Sequence, residues 1–303
     1  RTSIELEPIG EDEELVLRLG GVATVHDVYL DDELIHSGDS MFAPAEVDLT
    51  ERGRHLSRTP DEMTTARLAI RCRALGPLLA APRKPRARWR TRLAAGGLRF
   101  FRTMLLGRAP GIAPGPAAVG PWRPVSLERR RRLAVDRIGL LPRLDGDAGV
   151  LEVGASLRGL GGARPVAAEV ELAGPSGAHG AALALRERED GTVEASGELR
   201  VPGPPRWWPH THGEPALHAV GLRVALEDGG EVAVEAGRVG FRDLAPGPSA
   251  GHDPEADGLD LHLNGVRVFA RGAVWAPVDP VGLAPAREDL RAALEAARDA
   301  GMN

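Results

Sequence analysis

The sequence predicts a mainly β protein: two successive sandwich-like blocks, followed by the opening of an α/β unit. Three observations predict this order. Glycine and proline number 38 and 25 among 303 residues, which suits many short strands joined by turns. Runs of alternating apolar and polar residues recur at the spacing of a β-sandwich. From residue 258 onward, a hairpin signal is followed by helical periodicity.

The first block shows strand alternation and a tight turn. Leu15, Leu17 and Leu19 alternate with polar neighbours, and residues 28–30 and 33–35 flank Asp31-Asp32. Two apolar runs separated by two turn residues predict a β-hairpin. Residues 66–73 predict another strand.

Cys72 lies on the apolar face of that last strand, together with Leu68 and Ile70. We expect it to be a buried thiol and not a nucleophile. As the only cysteine, it excludes an intrachain disulfide and a metal site made of cysteine ligands.

No apolar run reaches about 18 residues, so no membrane span or membrane partner is expected. No cofactor is expected.

Acidic side chains cluster in three places, at residues 11–14, 31–33 and 187–190. Neighbouring carboxylates repel one another, and each cluster lies beside turn residues. We expect all three clusters to be solvated loops without a catalytic role.

A long basic segment lies between Glu62 and Glu128, with 13 basic residues and no acidic one. It could form a solvated surface, a surface for an acidic partner, or a nucleic-acid patch, since Arg88 and Arg90 flank Trp89. The net charge of −5 and the lack of a recognition motif count against nucleic acid. Docking against the protein's own barrel or an anionic glycan is favoured.

The second block, residues 129–243, predicts an all-β domain. Its runs end in Gly, Pro or Asp turns. The predicted strands are residues 135–141, 150–157, 166–172, 181–186, 197–201, 219–225 and 231–239. Residues 244–257 predict a linker.

The last segment combines a hairpin with a helix. Leu261 and Leu263 alternate before Asn264-Gly265, which is a strong type I′ turn signal. A helix is predicted after Pro285, with Gly301 as its cap. This order is typical of the start of an α/β domain.

A tryptophan pair precedes two histidines at residues 207–212 (WWPHTH). Sugar stacking and a His-x-His metal site are both conceivable. Adjacent tryptophans at a sandwich edge more often serve packing, and no third ligand accompanies the histidines. We therefore expect packing and no metal.

Three segments carry a family resemblance. They are residues 27–30 (DVYL), 39–42, 46–50 and 120–128 in the first block; residues 207–209, 213–215 and 239–242 in the second; and residues 263–266, 269–273 and 300–303 in the last. In this order they resemble the family-2 glycoside hydrolases, nearest to the β-mannosidase-like members.

The resemblance implies a jelly-roll sugar-binding-like domain (1–128), an immunoglobulin-like sandwich (129–243) and the truncated start of a (β/α)₈ barrel (244–303). It implies a parent retaining exo-β-glycosidase that hydrolyses O-glycosidic bonds in carbohydrate metabolism and takes a β-glycoside as substrate. The family's two catalytic Glu residues lie on later barrel strands, so this chain would hold no catalytic residue and would be inactive alone. The alternative is a non-catalytic carbohydrate-binding or interaction protein.

The chain departs from the family pattern at two places. Because of these departures, the resemblance does not imply specificity for mannosides. Where mannosidase-type members carry Trp-Asp-Trp, this chain has residues 106–112 with neither Trp nor Asp. If the basic segment docks against the barrel, Arg108 in this loop is the residue best placed to reach the sugar. In the family, the first barrel strand commonly ends with an Asn next to an aromatic residue. Here Val274 precedes Trp275. As substrate-binding candidates, Trp275 could be a platform and Asp279 a hydroxyl acceptor, or they could be a core Trp and a turn Asp.

The chain's ends suggest an internal piece of a longer protein. Arg1 lies inside a strand-like run, and Met302-Asn303 follow a helix-ending glycine. A cytoplasmic location is favoured, and a signal peptide before Arg1 stays open. The remainder of the barrel would be a partner of this chain.

Overall fold

The computed structural model describes residues 1–6, 8–56, 64–81, 93–94, 96–246 and 261–303. The chain forms two compact units, one of Arg1–Arg130 with Trp275–Glu295 and the other of Arg131–Val274 with Ala296–Asn303. Strands dominate both, so the mainly β, sandwich-type fold class is confirmed. The domain bounds at 128/129 and 243/244 stay predictions.

The first unit contains short strands and short helices. Its strands are β1 (Thr2–Leu6), β2 (Glu13–Leu19), β3 (Val22–Ala23), β4 (His26–Leu30), β5 (Glu33–Gly38), β6 (Ala45–Asp48), β7 (Thr64–Cys72), β8 (Gly120–Pro121) and β9 (Val125–Arg131). Its helices are α1 (Thr50–Leu56), α2 (Leu75–Ala80) and a 3₁₀ turn at Leu98–Phe100.

These strands form sheets in the orders β1-β7-β4-β5 and β6-β2-β9, with a small β3-β8 pair. One apolar core draws residues from both larger sheets, including Leu17, Val28 and Leu68. Each such side chain contributes about 1.5–3 kcal/mol by leaving water. Cys72 is partly buried against this core, and burial raises the pKa of its thiol, which agrees with a packing role.

The hairpin predicted at Asp31-Asp32 is confirmed. Both residues have positive φ, 49° and 72°, as a type I′ turn requires. The turn is fastened to β7, because the Arg67 N–H donates to Asp31 Oδ1 at 2.7 Å. The two-residue turn therefore sets the pairing of β4 with β5 beside it, Leu30 with Glu33 and Tyr29 with Leu34.

The prediction of a solvated acidic cluster at residues 11–14 is wrong for two of its members. Glu13 and Glu14 lie in β2 and are each 7 % exposed. Glu13 pairs with Arg129 at 2.6 Å and Glu14 with Arg130 at 3.0 Å. Both arginines lie on β9, the strand next to β2, so charge pairing across the sheet offsets the cost of burial.

The second unit contains all seven strands predicted for its block. They are β10 (Leu133–Asp145), β11 (Ala148–Gly159), β12 (Pro165–Gly174), β13 (Gly177–Glu187), β14 (Val193–Pro202), β15 (His218–Leu226) and β16 (Glu231–Val239). They pair in the order β10-β11-β14-β13-β12-β15-β16, antiparallel throughout.

Strand β13 changes partner along its length. Its residues from Gly177 to Leu183 pair with β12, and those from Ala184 to Glu187 pair with β14. The strand thereby joins the two faces that enclose the apolar core, in which Leu151, Val170 and Phe241 are completely buried.

The linker predicted from residue 244 begins with a short strand instead. Strand β17 (Leu244–Pro246) pairs with β18 (Leu261–Leu263), which pairs with β19 (Val266–Val268). Leu244 opposes Leu263, so apolar pairing overrides the Pro-rich composition at this point. The rest of the predicted linker lies outside the described residues.

The predicted helix is α3 (Arg287–Asp299), with Glu288 and Asp289 in its first turn. Gly301 has φ of 74°. Its N–H donates to the Arg298 carbonyl, and the N–H of Met302 donates to the Ala297 carbonyl. These two bonds form a Schellman cap. The prediction that Gly301 caps the helix is therefore confirmed.

No helix in the described ranges is long and apolar enough to cross a membrane. The Arg88-Trp89-Arg90 segment, considered above as a nucleic-acid patch, lies outside the residues that the structure describes.

Candidate functional site

Arg108 lies in a loop that is held by its own backbone. The N–H groups of Arg108 and Ala109 both donate to the Leu105 carbonyl, and the N–H of Gly107 donates to the Ala113 carbonyl. Gly107 has φ of 69°, and a Cβ there would lie 2.3 Å from the backbone nitrogen of Ala117. The loop therefore requires glycine beside Arg108.

The Arg108 side chain is half-buried, and burial lowers the pKa of its guanidinium. Across the part of the chain that the structure describes, that guanidinium forms no hydrogen bond or ion pair. A partly desolvated arginine that lacks an acid retains unused N–H donors. It is chemically suited to bind a polar or anionic group.

Trp275 and Asp279 lie beyond the β19 hairpin. The Trp275 ring is 53 % exposed. Asp279 Oδ1 accepts the N–H groups of Val281 and Gly282, each at 2.9 Å. Asp279 thus forms a turn through Oδ1, and its Oδ2 stays available to accept a hydrogen bond. Trp275 presents an accessible aromatic surface.

The structure does not join the three candidates. Among the described residues, no hydrogen bond, ion pair or ring contact links Arg108, Trp275 and Asp279. Their roles in binding sugar therefore stay predictions.

The Asn264-Gly265 turn is confirmed and is attached to the second unit's sandwich. Asn264 Oδ1 accepts the N–H of Asp243 at 2.9 Å, and its Nδ2 donates to the Trp207 carbonyl at 3.1 Å. The turn signal predicted the hairpin, but not that its asparagine side chain would fasten two distant loops.

A second carboxamide, that of Asn303, was not singled out from the sequence. Its Oδ1 accepts the N–H of Arg271 at 2.9 Å. Its Nδ2 lies 3.1 Å from Thr211 Oγ1 and 3.3 Å from the Phe269 carbonyl. Asn303 thereby connects the end of α3 to the segment after β19, and only its position in the family-like residues 300–303 hinted at a role.

The tryptophan pair at 207–208 packs on loop glycines. A Cβ at Gly240 would lie 2.9 Å from the Trp207 side chain, and one at Gly213 would lie 3.0 Å from Trp208. The Arg242 guanidinium stacks on the Trp207 ring at 4.7 Å. This agrees with the predicted packing role.

The two histidines that follow, His210 and His212, are exposed. Within the described ranges, no three His, Cys, Asp or Glu side chains are grouped to hold a metal.

Apolar side chains are exposed through the last segment. Helix α3 buries no residue. The exposed fractions are 76 % for Phe269, 98 % for Val274, 75 % for Val281 and 55 % for Leu294. A run of large exposed apolar residues typically marks a surface that another element covers.

An ionic cluster on β4, β5 and β7 was also missed by sequence reasoning. The Asp27 carboxylate is only 6 % exposed and contacts both Arg71 and Arg73. The hydrogen bond from Ser37, then those from Arg73 and Arg71, lowers the pKa of Asp27 from 3.8 to about 2. Strand alternation placed Arg71 and Arg73 on one face, but nothing local indicated their shared partner.

No family model matches the chain. Rat β-mannosidase is 29 % identical over 209 residues, which cover 63 % of this chain and 22 % of that protein. β-Mannosidase B of Aspergillus clavatus is 29 % identical over 106 residues, covering 33 % and 12 %. The β-D-mannosidase structure from Dictyoglomus thermophilum superposes with a TM-score of 0.76 over 99 % of this chain and 36 % of its own, at 21 % identity.

The chain is β-mannosidase-like, with the fold of glycoside hydrolase family 2. A β-glucuronidase of Bacteroides uniformis shares this fold, with a TM-score of 0.66 at 19 % identity over all of this chain and 33 % of its own. The β-mannosidase-like chain spans about a fifth of the rat protein. The resemblance expected from the sequence is thereby confirmed.

Proposed function

We propose that this β-mannosidase-like chain is a fragment of a retaining exo-β-glycosidase that hydrolyses O-glycosidic bonds of β-linked carbohydrates. The observation that carries the proposal is the 29 % identity to rat β-mannosidase over 209 residues. The sandwich folds and the strand–hairpin–helix segment that follows them support it. The superposition over 99 % of the chain on a β-D-mannosidase supports the same order of elements.

The proposed division is a jelly-roll domain at 1–128, an immunoglobulin-like sandwich at 129–243 and the start of a barrel at 244–303. The exposed apolar side chains of the last segment support it, because a barrel's remaining strands and helices would cover them. The hydrogen bonds of Asn264, near the start of this segment, and of Asn303, at its end, support the proposed division as well.

Retaining hydrolysis needs two carboxyl groups about 5–5.5 Å apart, one as acid/base and one as nucleophile. In this proposal, both belong to barrel strands outside these 303 residues. Within the chain, Arg108, Trp275 and Asp279 are the candidates to contact substrate. Arg108 would donate to sugar oxygens or to an anionic substituent, Trp275 would stack on a sugar ring, and Asp279 would accept from a hydroxyl.

The first experiment extends the reading frame downstream of Asn303 and compares the extended protein with the 303-residue chain. Both are assayed on p-nitrophenyl β-mannoside, β-glucuronide and β-glucosaminide. We expect the extended protein to contain an Asn-Glu pair at the end of a later strand and a second Glu, and to hydrolyse one of these substrates. The 303-residue chain should show no turnover above buffer.

A stop codon shortly after Asn303, with sugar binding but no turnover, would instead assign the chain to non-catalytic carbohydrate-binding proteins. Saturable hydrolysis by the purified 303-residue chain would contradict the placement of the catalytic pair.

The second experiment tests Arg108 in the extended protein. Arg108→Ala should lower kcat/KM at least ~10-fold, or ~1.4 kcal/mol of transition-state stabilisation, and leave the free energy of unfolding within about 0.5 kcal/mol. Arg102→Ala, an exposed arginine of the same basic segment, is the matched control. Equal kinetics for the two variants would make Arg108 a solvated loop residue.

A further inference from the structure

The Asp27 cluster holds two arginines on a single carboxylate oxygen. Asp27 Oδ2 accepts from Nη2 of Arg71 at 2.7 Å and of Arg73 at 3.0 Å, and from the Nε of each at 3.2 Å. The other oxygen, Oδ1, accepts the Ser37 hydroxyl at 2.8 Å. Since both guanidinium groups converge on one atom, they lie side by side.

The charges of this cluster do not cancel. One bidentate arginine is enough to neutralise a carboxylate, and here two arginines share one aspartate. The described residues supply no further acid to either arginine. The cluster therefore carries one positive charge in excess at the surface of the sheet.

The hydrogen-bond donors of the pair are also only partly used. A guanidinium has five N–H groups, and the bonds to Asp27 engage Nε and Nη2 of each arginine. In the described part of the chain, both Nη1 groups remain without a protein acceptor. The side chains of Arg71 and Arg73 are 59 % and 50 % exposed, so these donors reach solvent.

The pair is preorganised. Asp27 opposes Arg71 in the β4–β7 register, its carboxylate is almost fully buried, and the Arg71 guanidinium also lies 5.9 Å from the centre of the Tyr29 ring. Two arginines fixed in this way have already lost the side-chain freedom that ligand binding would otherwise remove. Such a fork suits the oxygens of a tetrahedral anion.

We propose that Arg71 and Arg73, held by Asp27 on the outer face of β4 and β7, form a binding site for a tetrahedral oxyanion, sulfate or phosphate, free or as an ester on a larger molecule. The site is separate from glycoside hydrolysis, and its occupancy does not depend on the proposed function. It belongs wholly to the first unit.

The test is an NMR titration of the ¹⁵N-labelled 303-residue chain, following the arginine Nε–Hε resonances at constant ionic strength. Sodium sulfate and sodium phosphate test the free ions. Glucose 6-sulfate tests an ester, with glucose as its uncharged control. We expect saturable shifts of the Arg71 and Arg73 signals at millimolar anion, with no response to chloride or glucose.

Arg73→Ala leaves Arg71 and Asp27 as a neutral pair and should weaken binding at least ~10-fold. Arg71→Ala is the second variant, should the first fail to fold. Arg143→Ala is the matched control: Arg143 also bridges two strands, but it contacts two acids, Glu152 and Glu198, so its removal should leave the titration unchanged.

Response to the ester alone would support the site and assign its ligand to a larger molecule. Shifts that grow linearly without saturation, or that persist unchanged in Arg73→Ala and Arg71→Ala, would overturn the proposal. The cluster would then serve only to bury Asp27.

Discussion

Two acidic runs, residues 13–14 in the first unit and residues 187–190 in the second, have similar sequences and opposite surroundings. Glu13 and Glu14 are buried in β2 beside arginines of β9. Glu187, Glu189 and Asp190 are exposed around the β13–β14 turn, where Gly191 has φ of 80°. The surroundings of an acidic run thus depend on the strand that lies opposite it.

This difference shows that the partner of a buried acid can lie far away along the sequence. The arginines that neutralise Glu13 and Glu14 are 116 positions away along the chain. They meet only because the sheet order places β9 next to β2. At the β13–β14 turn, Glu187 pairs with Arg164 at 3.1 Å, but both side chains are more than half exposed. Solvent then does most of the screening.

The largest expected effect comes from Arg130→Ala. Arg130 contacts Glu14 at 3.0 Å, Glu46 at 2.9 Å and Glu128 at 3.5 Å. Its removal takes a counter-charge away from a buried carboxylate that lies near two other acids, so we expect the free energy of unfolding to fall by about 2–3 kcal/mol. Urea unfolding at pH 7 measures this loss.

Arg143→Ala is the control, because its contacts with Glu152 and Glu198 are about half exposed, and such pairs contribute little. Adding Glu14→Gln to Arg130→Ala should restore part of the loss. Equal losses for Arg130→Ala and Arg143→Ala would remove the distinction between buried and exposed acids.

The second prediction concerns Glu13→Gln. Glu13 Oε2 accepts the Gly10 N–H at 2.7 Å and pairs with Arg129 at 2.6 Å. The amide keeps an acceptor but loses the charge-assisted bond, so we expect a loss of about 1–2 kcal/mol by urea unfolding. Glu11→Gln, in the exposed turn before β2, should be neutral. A neutral Glu13→Gln would mean that its burial does not depend on charge.

The third prediction is a pH dependence at Asp27, another buried acid with arginine partners. Its pKa in the folded chain is about 2, below the ordinary 3.8. Its stabilising contribution is therefore complete above about pH 4 and is lost as the pH falls towards 2. Asp27→Asn should unfold at lower temperature than the parent at pH 7, and the gap should narrow between pH 4 and 2. A gap that is independent of pH would contradict this assignment.

The smallest effect is expected for Asp190→Asn. Hydrogen bonds from Thr192, chiefly its backbone N–H, lower the pKa of Asp190. Asparagine keeps the acceptor at this exposed turn. Its melting temperature should stay within about 1–2 °C of the parent, as scanning calorimetry can show. A larger drop would make the turn a stability determinant.

Sequence reasoning succeeded where structure is determined locally. Alternation along ten-residue runs located the strands of the second unit, because one face of each strand packs on the core. The Asp31-Asp32 and Asn264-Gly265 turns were predicted from two residues each, since few residue types accept positive φ. Gly301 marked the end of α3 for the same reason.

It failed where a side chain finds its partner through tertiary pairing. Nothing near Asp27 indicated that Arg71 and Arg73 would share it, and β2 offered no sign that Glu13 faces Arg129. Of the site candidates, Asp279 accepts two backbone N–H groups in its turn, which is one of the two roles predicted for it, whereas contacts of Arg108 and Trp275 with sugar stay predictions.

The partner change within β13 has a consequence for the order of assembly. The β10–β11 hairpin leaves its β11 edge open until β14 follows, and β12 leaves an edge open until β15 follows. During synthesis from the N-terminus, β13 emerges after β12 and before β14 and β15. It carries the chain from one layer of the sandwich to the other. Because β13 pairs in both layers, neither layer can be completed before the other has begun. The open edges are therefore most vulnerable to mispairing while residues 188–218 are being made.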